Sequence, residues 1–140
     1  MTLEAAIAIA VRAHYGQKEK NGTPYVLHPL RVMLAVEGDA AQIAAVLHDV
    51  VEDTAVTLGE LEGYGLAGEA LEAVRLLTKS EETDYDAYLD GIRLHPIARA
   101  VKLADLEDNL DVRRLPEITP RDQDRLNRYL RGRKRLRREL

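Results

Sequence analysis

The stretch His48-Asp49-Val50-Val51-Glu52-Asp53 packs four ionisable side chains into six residues. It continues the run Ala40 to Leu47, whose spacing is helical. Ile43, Val46, Leu47 and Val50 make the i, i+3, i+4, i+7 stripe of a core-facing helix. His48 and Glu52 are four apart, and so are Asp49 and Asp53, so each pair shares a helix face. At roughly 100° per residue, the ionisable groups fall on the arc opposite the stripe. Ala41 and Ala45 share that arc, which lets another element approach closely. A solvated face would carry long Lys, Arg and Glu side chains. A histidine among small residues and short carboxylates suits a hard-to-borderline divalent cation instead.

Two further segments complete a metal reading. His28 precedes Pro29, and a residue before proline is pushed away from helical geometry. Pro29 fits the first turn of a helix, which places His28 at its entrance, off the regular helical surface. Asp105 lies in the mostly apolar segment Val101 to Asn109 and shares a face with Asn109. Two neutral imidazoles and two carboxylates hold a divalent ion and leave positions open for water and substrate. Taken singly, a His before Pro is commonly a turn residue, and an Asp in a helix is commonly solvated. Their co-occurrence in the order H, HD, D carries the signal.

With these residues the chain resembles the HD superfamily of metal-dependent phosphohydrolases. Four blocks narrow the resemblance: Ala13 to Gln17, Gly22 to Val32, Ala45 to Thr54, and Val101 to Asp105 with Asn109. They look like the hydrolase domain of the RelA/SpoT family, in its small alarmone-hydrolase branch. The similarity runs from about Leu3 to Leu115. It implies metal ligands at His28, His48, Asp49 and Asp105, with manganese the usual ion. It implies a catalytic acidic pair, Glu52 and Asp53, that handles the attacking water. Asn109 matches a family asparagine. The reaction implied is removal of the 3′-pyrophosphate from ppGpp and pppGpp, giving GDP or GTP and pyrophosphate. The residue types agree: a metal lowers the pKa of a water, and a carboxylate positions or deprotonates it. No cysteine or Ser-His-Asp pattern competes.

The chain also departs from the family. Glu19 stands where relatives carry an Arg that helps hold the purine. Lys18 and Lys20 remain as point charges for phosphate, but Lys neither stacks nor forks as Arg does. Leu110-Asp111-Val112 replaces a family Arg and Thr. The expectation is a 3′-pyrophosphorylated nucleotide substrate, with weaker guanine discrimination than the family norm and with Glu19 repelling phosphate. Tyr88 is a candidate pocket contact, with Tyr85 three residues before it. The alternatives are an HD phosphohydrolase acting on another nucleotide, such as an adenosine 3′-pyrophosphate analogue, and a nucleic-acid-binding module. Retention of both Glu52 and Asp53 favours an enzyme, since a structural metal site has no use for them.

The 140 residues, 46% hydrophobic, suit one globular domain over 1–140. With six Tyr and no Phe or Trp, the core is expected to be Leu, Val, Ile and Ala. Zero Cys excludes disulfides and cysteine-ligated zinc. No apolar run reaches the roughly 18 residues of a membrane span. The acidic start lacks a signal peptide's basic segment, so a cytoplasmic location and no membrane partner are expected. Residues 121–140 carry nine basic and three acidic groups, a formal +6 against −10 elsewhere. That basic helix, about 120–140, is expected to dock on the acidic body or on a second subunit, rather than on nucleic acid. Leu126, Tyr129, Leu130 and Leu136 are its docking residues. The oligomeric state is left open.

The pattern is all-α, a compact single-domain helical bundle of the HD type. A first helix runs from Thr2 to about His14, followed by a polar loop from Gly16 to Pro24. Helices are expected over Pro29 to Val36 and from about Ala40 to Val51, with Asp39 as the cap of the latter. Thr57-Leu58-Gly59-Glu60 has capping-box spacing and opens a short helix, broken at Gly63-Tyr64-Gly65. Leu66 to Leu77 is helical, with Leu71, Val74 and Leu77 inward. Asp84 opens a helix through Leu94, His95-Pro96 separates it from the Asp105 helix, and Thr119-Pro120 starts the last.

Overall fold

Helices α1 (Leu3–Ala13), α2 (Leu27–Leu34), α3 (Asp39–Leu47), α4 (Val50–Asp53) and α5 (Leu58–Gly63) form the first half of the computed structural model, which describes residues 1–138. Then come α6 (Gly68–Leu77), α7 (Tyr85–Arg93), α8 (Pro96–Asn109), a 3₁₀ turn at Val112–Arg114 and α9 (Pro120–Arg137). No β-strand occurs among the described residues.

Helix α3 lies at the centre. It packs against α1, α2, α6 and α8. Ala44, Ala45, Val46 and Leu47 are fully buried there, and so are Ala6 and Ala10 of α1. The alanines let backbones approach closely, while each fully buried Val or Leu contributes about 1.5–3 kcal/mol. The core is aliphatic, as composition implies, with Leu47, Leu61, Leu89, Ile92, Leu106 and Leu136 its largest wholly buried aliphatic members.

Most starts follow local chemistry. Thr2, Thr57, Asp84 and His95 accept backbone N–H groups at the heads of α1, α5, α7 and α8. Thr119 and Asp122 form a reciprocal capping box on α9. Three expectations need correction. Gly38, not Asp39, caps α3, because the turn into it needs φ of 95°, which glycine tolerates. His28 sits inside the first turn of α2, not before it. Pro29 forfeits no ladder bond there, because first-turn N–H groups have no helical partner. The expected helix to Val51 breaks at His48-Asp49, and α4 restarts at Val50.

The polar loop after α1 is folded on itself. Glu19 N–H donates to Thr23 O at 2.8 Å and Tyr25 N–H to Gln17 O at 2.8 Å, around an antiparallel bridge between Lys18 and Pro24. Helix α9 docks on this chain's own α7 and α8. Gly132 sits where a Cβ would come within 3.2 Å of Tyr85 Oη and 3.4 Å of Leu89 Cδ1, so its lack of a side chain sets the close approach. Arg135 pairs with Asp90 at 2.8 Å, and Arg133 with Glu107 at 3.2 Å. Leu136 is fully buried, and Leu126 and Tyr129 are half-buried. Leu130 is 54% exposed and is not a docking residue, since it lies one residue, about 100°, off the Tyr129–Leu136 stripe.

Leu136→Ala is expected to cost about 2–4 kcal/mol in urea unfolding, whereas Leu130→Ala stays within about 0.5 kcal/mol. Equal effects would contradict the docked orientation of α9.

Candidate functional site

The break after Leu47 creates the site. Neighbouring side chains on an unbroken helix diverge, so His48 and Asp49 could not face one point. Here His48 Nε2 and Asp49 Oδ2 lie 3.1 Å apart. The His48 ring replaces part of the interrupted ladder, with Nδ1 donating to Ala45 O at 2.6 Å. From α2, His28 brings Nε2 to 3.6 Å from Asp49 Oδ2. From α8, Asp105 Oδ1 lies 2.9 Å from His28 Nε2 and 3.2 Å from His48 Nε2. These four residues each offer a ligand atom, all within 4.8 Å of one another.

The donor set fits a divalent ion. Ligands at right angles on an ion with bonds of about 2.1 Å lie roughly 3 Å apart, close to the separations seen. Both imidazoles are oriented for the role. Carboxylate and carbonyl oxygens only accept, so Nδ1 of each ring carries the proton and Nε2 faces the cluster. For His28 the acceptor is Asp108 Oδ2, at 2.6 Å.

The electrostatics follow from burial. Burial pushes Asp105 up, and the Lys102 ammonium with the two histidines more than reverses this, holding it well below the usual carboxylate range. Lys102 Nζ lies 2.8 Å from Asp105 Oδ2. Burial lowers His48, and Asp49 and Asp105 outweigh it, holding the imidazole well above its ordinary value. Tyr25 donates its hydroxyl to Asp49 Oδ2 at 2.6 Å, and burial and Asp49 push that hydroxyl's pKa upward.

Asp49, Glu52 and Asp53 form an adjoining carboxylate cluster. Partial burial, then Asp49 and Glu52, push Asp53 up to about 6. Glu52 Oε1 accepts the Lys79 backbone N–H at 2.7 Å. Both Glu52 and Asp53 are exposed, while His28, His48 and Asp105 are buried and Asp49 is half-buried.

Two cavities flank the centre and share Tyr129. The first, about 300 Å³, is lined by Lys18, Lys20, Tyr25, Asn109, Arg114 and Arg125, among others. Asn109 Nδ2 also donates to Asp105 Oδ1 at 3.2 Å. Lys20 is paired with Asp122 at 2.6 Å. The second, about 350 Å³, is lined by Glu52, Lys79, Tyr85, Tyr88, Lys102, Arg128 and Tyr129. Tyr88 is buried and donates its hydroxyl to Leu77 O at 2.7 Å, so only its ring faces the cavity.

Glu19 does not stand free to repel phosphate. Arg31 Nη2 lies 2.6 Å from Glu19 Oε1, and Arg114 Nε is 3.9 Å from the same oxygen. Arg31 bridges onward to Asp108 Oδ1 at 2.8 Å.

With this geometry the chain resembles known proteins. It is 36% identical over 141 residues to a probable guanosine-3′,5′-bis(diphosphate) 3′-pyrophosphohydrolase of Synechocystis, covering 88% of this chain and 18% of that protein. It is 33% identical over 141 residues to the bifunctional (p)ppGpp synthase/hydrolase SpoT of Escherichia coli K12, covering 90% and 20%. A solved structure described as a metazoan ortholog of SpoT that hydrolyzes ppGpp superposes with a TM-score of 0.78 at 25% identity. It covers 96% of this chain and 85% of that one. No protein-family profile matches the chain. The chain is thus similar, in sequence and in fold, to the HD-type hydrolase domain of RelA/SpoT proteins. It spans about a fifth of the length of the curated relatives it matches.

The sequence reading missed Asp108, Arg31, Arg114, Tyr25 and Lys102 as partners of the centre. Only Lys102, three residues before Asp105, carried a local signal. The others meet the site across the fold.

His48→Ala is expected to abolish divalent-metal binding in calorimetry. Asp108→Asn is expected to weaken it about 10–100-fold, because the His28 ring loses its charged anchor. Wild-type affinity in Asp108→Asn, with native circular dichroism, would contradict that anchoring role.

Proposed function

We propose that this domain is a metal-dependent hydrolase that removes the 3′-pyrophosphate of (p)ppGpp, with manganese at His28, His48, Asp49 and Asp105. The observation that carries the reading is one largely buried His₂Asp₂ cluster with the exposed Glu52–Asp53 pair beside it. The relatives' names supply the substrate class. Water adds to the phosphorus bonded to O3′, the P–O3′ bond breaks, and a water proton passes to O3′. The products are GDP or GTP and pyrophosphate.

A bound divalent ion supplies an acidified water and neutralises charge on the phosphoryl oxygens. This chain's residues do the rest. Glu52 and Asp53 orient the water and take its proton. Asp53, pushed up to about 6, is poised near neutrality for that exchange. Tyr25 fixes the Asp49 carboxylate. Lys18, Lys20 and Asn109 in the first cavity meet phosphate and sugar. Tyr88 contributes its ring as a wall of the second. No nucleophilic side chain is needed, since phosphoryl transfer depends on positioning and charge stabilisation.

No described helix is long and apolar enough to cross a membrane, and a nucleotide substrate suits a cytoplasmic site. Arg133 and Arg135 are already engaged by α8 and α7, which disfavours nucleic acid as the partner of α9.

Base choice is a second, narrower reading. Glu19 leaves no guanidinium at its own position, and Arg31 spends its charge on Glu19 and Asp108. Weaker guanine discrimination than in relatives follows, by about one to two orders of magnitude for a lost base contact. The measurement is kcat/KM for ppGpp against its adenosine counterpart. Equal discrimination to a full-length relative would contradict it.

Glu52→Gln and Asp53→Asn are each expected to lower kcat about 100-fold or more while one manganese still binds per chain. A double variant within a few-fold of wild type would remove both from the chemistry.

A further inference from the structure

The second cavity carries positive charge that hydrolysis at the metal does not use. It adjoins the centre through Lys102 and Glu52. Lys102 sits on its wall and binds one oxygen of Asp105, whose other oxygen faces the histidines. Glu52, also on the wall, clusters with Asp49. Lys79 and Arg128 stand further out. Neither has an ion-pair partner among the described residues, although nearly every other cation around the centre does. Arg128 lies 6.0 Å from the Tyr85 ring centre and 5.9 Å from that of Tyr129. The rings hold the guanidinium over the cavity mouth. Lys79 is half-buried, and its ammonium is steadied by Ser80 O at 3.0 Å. The lining thus has three cations and one carboxylate.

The first cavity differs. Its cations are interspersed with Glu19, Asp111, Asn21, Leu115 and Leu126, a mixture suited to a nucleoside. The second has no amide and no aliphatic side chain in its lining, only rings and charges. A small, multiply charged anion matches it. Lys79 offers a rotatable point charge, and Arg128 a planar fork for two phosphate oxygens.

We propose that the second cavity seats the pyrophosphate group of the substrate and, after cleavage, inorganic pyrophosphate, with Lys79 and Arg128 as its binding residues. The assignment rests on the hydrolase reading above. The substrate then lies across the metal, nucleoside in the first cavity and scissile pyrophosphate in the second. Product release is governed by α9 and the segment after α6, away from the base.

The test uses the whole chain with one equivalent of manganese and inorganic pyrophosphate as probe, read by calorimetry. Wild type is expected to bind pyrophosphate about tenfold more tightly than orthophosphate. Lys79→Ala and Arg128→Ala are each expected to weaken pyrophosphate about tenfold, with manganese and GDP affinities unchanged. Unchanged pyrophosphate affinity in the double variant would overturn the assignment, and so would an equal loss of GDP affinity. Pyrophosphate binding through Lys79 and Arg128, in a chain that cleaves no 3′-pyrophosphorylated nucleotide, would sustain the site and overturn the substrate instead.

Discussion

A buried carboxylate and a half-buried one beside it set the terms for this structure. Asp105 sits where an uncompensated charge costs several kcal/mol, and Asp49 lies at the rim of the same core. Everything packed against them answers that cost. His28 and His48 turn ring nitrogens toward them, Lys102 takes the outer oxygen of Asp105, and Tyr25 donates to Asp49. A divalent ion bound there would replace protons on the imidazoles, which would couple metal binding to proton release.

The backbone pays for this arrangement at one place. A continuous helix through residue 51 would keep the apolar stripe but separate His48 from Asp49. The break between α3 and α4 brings the pair together, and His48 Nδ1 adds a short bond to the Ala45 carbonyl, which also takes the His48 backbone N–H at 3.4 Å. Helix α3 can be interrupted there because α1, α2, α6 and α8 all hold it. Beyond the centre, Asp108 links His28 to Arg31 and Arg114, and Arg31 reaches Glu19. The loop that lines the first cavity is thereby tied to the His28 ring.

The chemistry of the site was legible in the sequence because its residue types are rare together and their spacing is local. The four converging donors were named by type, by proline context and by the HD dipeptide. Helix starts were legible for the same reason, since Thr2, Thr57, Asp84 and Thr119 act within three residues of themselves. Periodicity misled at His48, where the apolar stripe continues through Val50 although the helix does not. Glu19 was misread because its partner, Arg31, is twelve residues away across a folded loop. Asp108 was missed because its bond to His28 spans eighty residues, and no local pattern encodes such a pairing. Leu130 was assigned inward by type, but the α9 stripe runs through Tyr129, Gly132 and Leu136.

The central claim is that one ion is held by His28, His48, Asp49 and Asp105, beside and not within the Asp49–Glu52–Asp53 carboxylate cluster. Anomalous scattering from crystals grown with manganese tests this most directly. One peak per chain is expected, about 2.0–2.4 Å from Nε2 of both histidines and from a carboxylate oxygen of Asp49 and Asp105. A peak coordinated by Glu52 and Asp53, or one that either histidine faces away from, would contradict it.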